Sequence, residues 1–264
     1  MTMSAHTFWT LGDYARIAEL IAAMGPALVH AARVGPGQRV LDVGAGTGNA
    51  TLPAAATGAD VVGTDIAPEL MAVGEREAKE QGLDITWHVA DAQRLPYPDA
   101  SFDAVLSAVG AMFAPDHEAT ARELLRVCRP GGTIAMANWT PDGEVGRYFA
   151  ILARYAPSHP GPPPTAWGDP ATVERLLSPA TVTTTTSRLR LAFTGTPAEL
   201  VAYYRAHFPP VLTTFANLDE ARAAQLEAEL VDLFEGGYDV EYLTVRAVTP
   251  RTGAPPAAST GRSG

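Results

Sequence analysis

An apolar run that ends in a carboxylate and passes directly into a glycine-rich turn constrains the fold more than any other part of the chain. It occupies residues 40–49, with a carboxylate at Asp42 and glycines at Gly44, Gly46 and Gly48. Glycine permits a positive φ and leaves room for a ligand beside the backbone, while the first amides of a following helix attract polar or negative groups. The sequence therefore predicts a strand, a ligand-binding loop and the start of a helix.

The spacing of these glycines argues against two common nucleotide-binding motifs. A dinucleotide fingerprint has glycine or alanine at its sixth position, where this chain has Asn49, and keeps its strand apolar where this chain has Asp42. A P-loop requires Lys-Ser or Lys-Thr after the glycines, and neither follows here. The loop suits a nucleotide-like cofactor, and a nicotinamide-dependent oxidoreductase remains the less favoured alternative.

Short apolar segments alternate with helical segments from residue 39 onward, which is typical of a parallel sheet covered on both faces. The predicted strands are 39–43, 60–65, 85–90, 102–108, 133–139, 182–193 and 238–248. The predicted helices are 14–24, 26–33, 68–81, 116–128, 143–155, 197–207 and 218–234. Residues 156–170 carry six prolines, which interrupt ladders and helices alike, and we expect a surface loop or hinge there.

Charge and cysteine content narrow the class of function. The formal net charge is −10 and no basic run is present, which argues against a nucleic-acid partner. The single cysteine, Cys128, excludes an internal disulfide, and no side chains have the spacing of metal ligands, so we expect no metal. The first ten residues do not resemble a signal peptide, and the apolar runs are too short to span a bilayer. We expect a cytoplasmic protein with no membrane partner.

A carboxylate lies at or next to the end of each of the first three predicted strands, at Asp42, Asp65 and Asp91. The carboxyl ends of parallel strands meet at one edge of a sheet, which is the usual place for a ligand. Asp65 is placed to accept hydrogen bonds from both hydroxyls of a ribose; its alternative role is to cap the helix that begins near Pro68. The sequence favours the ribose-binding role because the glycine loop precedes it.

Five ordered motifs resemble the class I S-adenosylmethionine-dependent methyltransferases, and within them the small-molecule branch that includes the ubiquinone and menaquinone biosynthesis C-methyltransferases. The motifs are residues 40–48, 63–65, 91–96, 101–105 and 123–132. The resemblance implies a Rossmann-like three-layer α/β/α sandwich with a mostly parallel seven-stranded sheet, an antiparallel last strand and a helical cap insertion. It also implies S-adenosyl-L-methionine as cofactor, which suits the acidic side chains because this cofactor is cationic at sulfur and carries no phosphate.

The same resemblance implies a role for each motif in binding the cofactor. Asp42 would hold the ammonium of the methionine portion, which the glycine loop would wrap. Asp65 would bind the ribose, Asp91 would accept from the adenine amino group, and Ser107 would lie near the transferred methyl. The full set of expected cofactor contacts is Trp9, Tyr14, Asp42, Gly44, Ala45, Gly46, Asn49, Asp65, Ile66, Asp91, Ala92 and Ser107.

The likeness also suggests how the chain is divided. Residues 1–38 would form a helical element over the cofactor, 39–195 the core, 196–236 a helical cap for the substrate, 237–250 the final strand and 251–264 a disordered tail. In the first element Trp9 and Tyr14 are candidate cofactor contacts, and packing of these two rings on the core is an equally good interpretation.

No residue is assigned as a catalytic base. His117 follows Asp116 at a predicted helix start, where a cap with a solvent-facing neighbour is the favoured interpretation, and His207 is expected to pack in the core or at its rim. Transfer of a methyl from a sulfonium can be accelerated by alignment and desolvation alone. The resemblance implies methyl transfer to an oxygen, nitrogen or carbon of a small, apolar metabolite. The alternative is a cofactor-binding protein of this fold with another reaction; the oligomeric state stays open, with a homodimer as one option.

Overall fold

The computed structural model describes residues 4–156 and 161–251, and its centre is a seven-stranded sheet. The strands follow the spatial order β3-β2-β1-β4-β5-β7-β6, in which β7 runs antiparallel to both of its neighbours and β1 to β5 are parallel. The strands are β1 (Arg39–Val43), β2 (Asp60–Asp65), β3 (Ile85–Val89), β4 (Phe102–Ala108), β5 (Cys128–Trp139), β6 (Thr181–Arg190) and β7 (Asp239–Val248). The predicted sheet, with its antiparallel last strand, is confirmed.

Eleven α-helices occur among the described residues, and two short 3₁₀ helices cover Ala111–Phe113 and Pro164–Gly168. The α-helices are α1 (Ala5–Trp9), α2 (Tyr14–Leu20), α3 (Met24–Ala32), α4 (Thr51–Ala56), α5 (Pro68–Glu80), α6 (His117–Val127), α7 (Glu144–Ala153), α8 (Pro170–Leu176), α9 (Pro197–His207), α10 (Pro209–Ala216) and α11 (Glu220–Phe234). Helices α9, α10 and α11 lie between β6 and β7 in sequence, which is where the cap insertion was expected.

Burial on both faces explains why the central strands read as continuous apolar runs. Val40 and Leu41 in β1 and Val105 and Leu106 in β4 have no exposed surface. Helices begin where a side chain satisfies their free amides, as at Asp116, whose carboxylate accepts from the amide of Ala119 at 2.9 Å. Because β1, β2 and β4 are parallel, their ends and the loops that follow them lie at one edge of the sheet.

The cap contains one helix more than predicted. The predicted helix over 197–207 matches α9, but a new helix, α10, begins at Pro209 where no helix was expected. Proline disfavours the helical conformation of the residue before it, and a second proline at 210 has no amide to donate. The predicted helix over 14–24 ends early, at Leu20, and a turn leads into α3 at Met24.

The proline-rich segment is only partly the surface loop that was expected. Trp167, in the 3₁₀ helix Pro164–Gly168, has no exposed surface. A Cβ on Gly168 would lie 2.0 Å from the carbonyl oxygen of Trp139, so this segment packs tightly against the end of β5. The expectation of a surface loop is therefore wrong for residues 164–168. Residues 157–160 and most of the predicted tail, 252–264, lie outside the described residues.

No single helix among the described residues is long and apolar enough to cross a bilayer. Helices α2 and α3 are long and apolar enough only when taken together, and they bend by 67° at their junction.

Candidate cofactor and substrate site

A cavity of about 170 Å³ opens at the carboxyl edge of the sheet, beyond the ends of β1, β2, β3 and β4. It brings together eleven of the twelve predicted cofactor contacts, from α1, α2, the end of β1 with its glycine loop, and the ends of β2 and β3. These eleven are Trp9, Tyr14, Asp42, Gly44, Ala45, Gly46, Asn49, Asp65, Ile66, Asp91 and Ala92. Ser107 does not line the cavity. The carboxylates of the first three strands thus share one site, as the parallel topology requires.

The glycine loop after β1 is held in a conformation that glycine alone adopts easily. Gly44 has a φ of +70°, and a Cβ there would lie 2.6 Å from the Cα of Gly110. The amide of Ala45 donates to the carbonyl of Thr64 at 2.8 Å, which ties the loop to β2. Gly48, expected to wrap the cofactor with the others, instead packs near Trp87 and does not line the cavity.

The turn after β4 supplies the surface against which Gly44 packs. Val109 has a φ of +65°, an uncommon conformation for a β-branched residue, and its amide donates to the carbonyl of Ala137 at 2.9 Å. Backbone strain of this kind is found most often beside functional sites. Here it turns the chain so that Gly110 touches Gly44 and Phe113 reaches the cavity.

Ser107 has a structural position beneath this turn. It is buried, its hydroxyl donates to the carbonyl of Val43 at 2.7 Å, and it accepts from the amide of Ala111 at 2.9 Å. The first hydrogen bond joins β4 to the end of β1, and the second joins β4 to the 3₁₀ helix that follows it. The hydroxyl is therefore engaged within the protein and does not face the cavity, where the contact near the methyl group was expected.

Asp42 presents a buried carboxylate with one unused oxygen. Its Oδ2 accepts from the hydroxyl of Thr51 at 2.6 Å, whereas Oδ1 has no hydrogen-bond partner among the described residues. Burial raises the pKa of this carboxyl to about 7, against the opposing effect of the Thr51 hydrogen bond. A cationic ligand in the cavity would satisfy Oδ1 and favour the ionised form. Thr51, nine residues after Asp42, was not anticipated.

The pKa of Asp42 predicts a specific pH dependence of stability. The pKa is raised from 3.8 to about 7 in the folded protein, so its stabilising contribution is complete below pH 3.8 and is lost as the pH rises through 7. That contribution is at most about 4 kcal/mol. Asp42→Asn keeps an acceptor for Thr51 and should flatten the change in unfolding free energy between these pH values, measured by urea denaturation in the absence of ligand. Asp60→Asn, at the exposed start of β2, is the control, and an equal effect of both substitutions would contradict the assignment.

Asp65 links the glycine loop to helix α5. Its Oδ2 accepts from the amide of Gly46 at 2.8 Å and its Oδ1 from the amide of Ala67 at 2.9 Å. Burial raises the pKa of this carboxyl, and the amides of Ala67, Gly46 and Ile66 oppose that shift. The carboxylate therefore does support the helix start. It also lines the cavity, where its remaining lone pairs are available to ribose hydroxyls.

Asp91 forms a compact unit with Gln93, a lining residue that the sequence did not reveal. Asp91 Oδ1 accepts from the backbone amide of Gln93 at 2.9 Å, and the Gln93 side-chain amide donates to both carboxylate oxygens. Gln93 in turn accepts from the amide of Asp116 at 3.0 Å. An adenine amino group would thus meet a carboxylate already oriented by its neighbour. The only sequence signal for Gln93 is its position two residues after Asp91.

The amino-terminal aromatic residues both line the cavity and pack against each other. Trp9 makes edge-to-face contacts with Tyr14 at 5.4 Å and with Phe113 at 5.0 Å between ring centroids. The amide of Asp13 donates to the carbonyl of His207 at 3.2 Å, so this element is attached to the cap helix α9. The two interpretations of these rings, cofactor contact and packing, are therefore compatible.

The histidines considered as bases do not lie on the cavity. Asp116 does cap α6, but His117 is buried against Trp167, with 5.6 Å between ring centroids, so the expected solvent exposure is wrong. Burial lowers its pKa. His207 packs edge-to-face on Tyr203 at 4.6 Å, as expected for the rim of the core. A search over the described residues finds no group of three His, Cys, Asp or Glu side chains arranged to hold a metal ion.

A second, smaller cavity of about 40 Å³ adjoins the first beneath the cap. The two cavities share Tyr14, Ile21 and Phe113. The walls of the second are mainly aromatic, with Tyr148 and Phe149 from α7 and Tyr204 and Phe208 from the cap. The contribution of α7 was not predicted; its only signal in the sequence is an adjacent aromatic pair within a predicted helix.

The chain matches the methyltransferase domain family over residues 41–136, which run from β1 and its glycine loop into β5. The chain belongs to the class I S-adenosylmethionine-dependent methyltransferases. An uncharacterized protein of Mycobacterium tuberculosis is 44% identical over 251 residues, which cover 90% of this chain and 92% of that protein.

Two further relatives show how far the likeness extends. The demethylmenaquinone methyltransferase of Thermus thermophilus is 42% identical over 118 residues, which cover 43% of this chain and 54% of that enzyme. The structure of phosphoethanolamine N-methyltransferase 2 from Haemonchus contortus in complex with S-adenosyl-L-methionine superposes with a TM-score of 0.61 at 18% identity, over 95% of this chain and 61% of that one. The latter shows a shared fold.

Proposed function

We propose that the protein binds S-adenosyl-L-methionine in the first cavity and transfers its methyl group to an oxygen, nitrogen or carbon of a small, apolar metabolite. The observation that carries this proposal is the junction of the two cavities. A chamber with three carboxylates shares Tyr14, Ile21 and Phe113 with an aromatic chamber beneath the cap. A polar cofactor and an apolar acceptor would thus meet at a common wall.

The first cavity has an unpaired acceptor and open space that the cofactor would fill. Asp42 Oδ1 is a buried acceptor without a partner, which an ammonium group would satisfy. Gly46 has room beside it, because a Cβ there would meet no atom within 4 Å. When bound, the cofactor supplies an electrophilic methyl group on a sulfonium. The residues expected to hold it are Asp42 for the ammonium, Asp65 for the ribose and Asp91 with Gln93 for the adenine.

The chain's own contribution to the reaction would be alignment and exclusion of water. Trp9, Tyr14 and Phe113 form an aromatic wall at the junction of the cavities, and α9 lies against the amino-terminal element through the Asp13–His207 hydrogen bond. An in-line displacement gains most from such positioning in a dry site. We assign no side chain as a general base.

Calorimetry and methyl-transfer assays test this proposal in order. We expect S-adenosylmethionine and S-adenosylhomocysteine to bind at one site and NADH not to bind, because Asp42 and Asn49 replace the features of a dinucleotide loop. Incubation with cofactor labelled on its methyl group and a panel of small phenols, amines and carbon acids should label an acceptor. NADH binding in place of the other two ligands would contradict the proposal. Cofactor binding without transfer to any acceptor would favour the alternative of a different reaction on this fold.

A further inference from the structure

Tyr148, on helix α7, has a buried hydroxyl that makes no hydrogen bond to any of the described residues. The residue is 2% exposed and lines the second cavity. Some other tyrosine hydroxyls are paired: that of Tyr155 donates to Glu229 at 2.7 Å and that of Tyr203 to the carbonyl of Arg16 at 3.2 Å. Buried hydroxyls are normally satisfied, since an unpaired one loses its hydration without replacement. Tyr148 therefore brings a hydrogen-bond donor without a partner to the wall of the second cavity.

Two more tyrosines line the same chamber. Tyr204, on α9, lies edge-on to Tyr148 with 5.4 Å between ring centroids, and Tyr14 is a wall shared with the first cavity. No hydrogen bond of either hydroxyl is found within the part of the chain that the structure describes. Burial raises the pKa of all three phenols, so each stays protonated and able to donate near neutral pH.

The rest of the lining is apolar and uncharged. It includes Phe113, Phe149, Phe208 and Phe234, and none of the described residues that form it is Asp, Glu, Lys, Arg or His. A charged ligand would lose its hydration here and gain no counter-ion. Adjacent rings meet at steep angles, as in Phe149 against Phe208 at 64° and Tyr148 against Tyr204 at 60°, which leaves ring faces and edges to pack on a flat ligand.

We propose that the second cavity binds the methyl acceptor, and that this acceptor is a flat, uncharged compound with an oxygen that receives a hydrogen bond from the Tyr148 hydroxyl. The inference rests on the proposed function and extends it from an apolar metabolite to an aromatic or similarly flat one with a carbonyl-type oxygen. Tyr148 would be a specificity-determining residue, because it distinguishes such a compound from a hydrocarbon of the same shape.

Three probes of nearly equal shape test the proposal by direct binding. Acetophenone offers a carbonyl oxygen. In α-methylstyrene a methylene group replaces that oxygen, and in benzamidinium a cationic amidinium group replaces the whole acetyl group. Binding is measured by calorimetry with the full chain, with and without saturating S-adenosylhomocysteine. We expect acetophenone to bind most tightly and benzamidinium least. In Tyr148→Phe the affinity for acetophenone should fall about three- to tenfold and that for α-methylstyrene should not change.

Tyr203→Phe is the matched control. Tyr203 is on the same cap helix as Tyr204, but its hydroxyl donates to the carbonyl of Arg16 and the residue does not line the cavity. It should keep the preference for acetophenone. The melting temperature of the ligand-free protein gives a second readout: loss of an unpaired buried hydroxyl in Tyr148→Phe should leave it unchanged or raise it. A preference for acetophenone that survives in Tyr148→Phe overturns the proposal, and so does tighter binding of benzamidinium or binding of none of the probes.

These outcomes are separable from the proposed function. Binding of S-adenosylhomocysteine depends on the first cavity and is measured independently. In one outcome S-adenosylhomocysteine does not bind, but acetophenone is preferred and Tyr148→Phe abolishes that preference. The second cavity is then a ligand site, and the methyl-transfer proposal is wrong. If S-adenosylhomocysteine binds while Tyr148→Phe changes nothing, only the assignment of the acceptor is wrong.

Discussion

Replacing Asp65 with alanine should weaken binding of S-adenosylhomocysteine by several-fold to a hundredfold, or about 1–3 kcal/mol. Two losses combine in this variant. The ribose would lose a charge-assisted acceptor, and the amides of Gly46 and Ala67 would lose the carboxylate that holds the glycine loop and the start of α5. Calorimetry at neutral pH measures the effect, and an unchanged affinity would contradict the assignment of Asp65 to the cofactor.

Two further variants separate these contributions. Asp65→Asn is nearly isosteric and retains one acceptor oxygen for a backbone amide, so it should preserve more of the loop geometry than alanine while losing the charge. Asp60→Ala lies at the opposite, exposed end of the same strand and should leave cofactor affinity unchanged. If Asp60→Ala weakens binding as much as Asp65→Ala, the effect belongs to the strand and not to the site.

Gly25→Ala should destabilise the protein and weaken cofactor binding together. Gly25 lies near the start of α3, and a Cβ at this position would be 1.7 Å from the carbonyl oxygen of Asn49. The obstacle is backbone, so helix α3 must move away from the cofactor loop. Overpacking of this kind costs about 1–3 kcal/mol or more. Urea denaturation and calorimetry with S-adenosylhomocysteine measure the two effects.

The control for this prediction is Gly35→Ala, since a Cβ on Gly35 would meet no atom within 4 Å and its φ is not positive. That substitution should change the unfolding free energy by less than about 0.5 kcal/mol. If the two alanine variants have equal unfolding midpoints, α3 and the loop can move apart without loss of stability, and the prediction for Gly25→Ala is wrong.

The sequence by itself determined the sheet and the edge on which the site lies. The bounds predicted for β1, β2 and β4 match the structure, because buried parallel strands are short apolar runs between loops and are visible without tertiary information. The position of Asp42, Asp65 and Asp91 at strand ends then placed all three at one cavity, since parallel strands finish at the same edge. Their convergence follows from chain direction alone.

The tertiary structure alone decided which side chains meet across distant segments. The Thr51 hydroxyl on Asp42, the contact of Gly25 with Asn49 and the burial of Trp167 depend on how helices pack on the sheet. Ser107 has the right sequence position for a cofactor contact, but its hydroxyl is engaged with the carbonyl of Val43 in β1 and the amide of Ala111. Tyr148 shows the same principle: a helical aromatic residue is most simply a core residue, and only the packing of α7 against the cap leaves its hydroxyl unpaired at a cavity wall. Local patterns specify elements and their faces, whereas the partners of a side chain depend on distances between segments that are far apart in the chain.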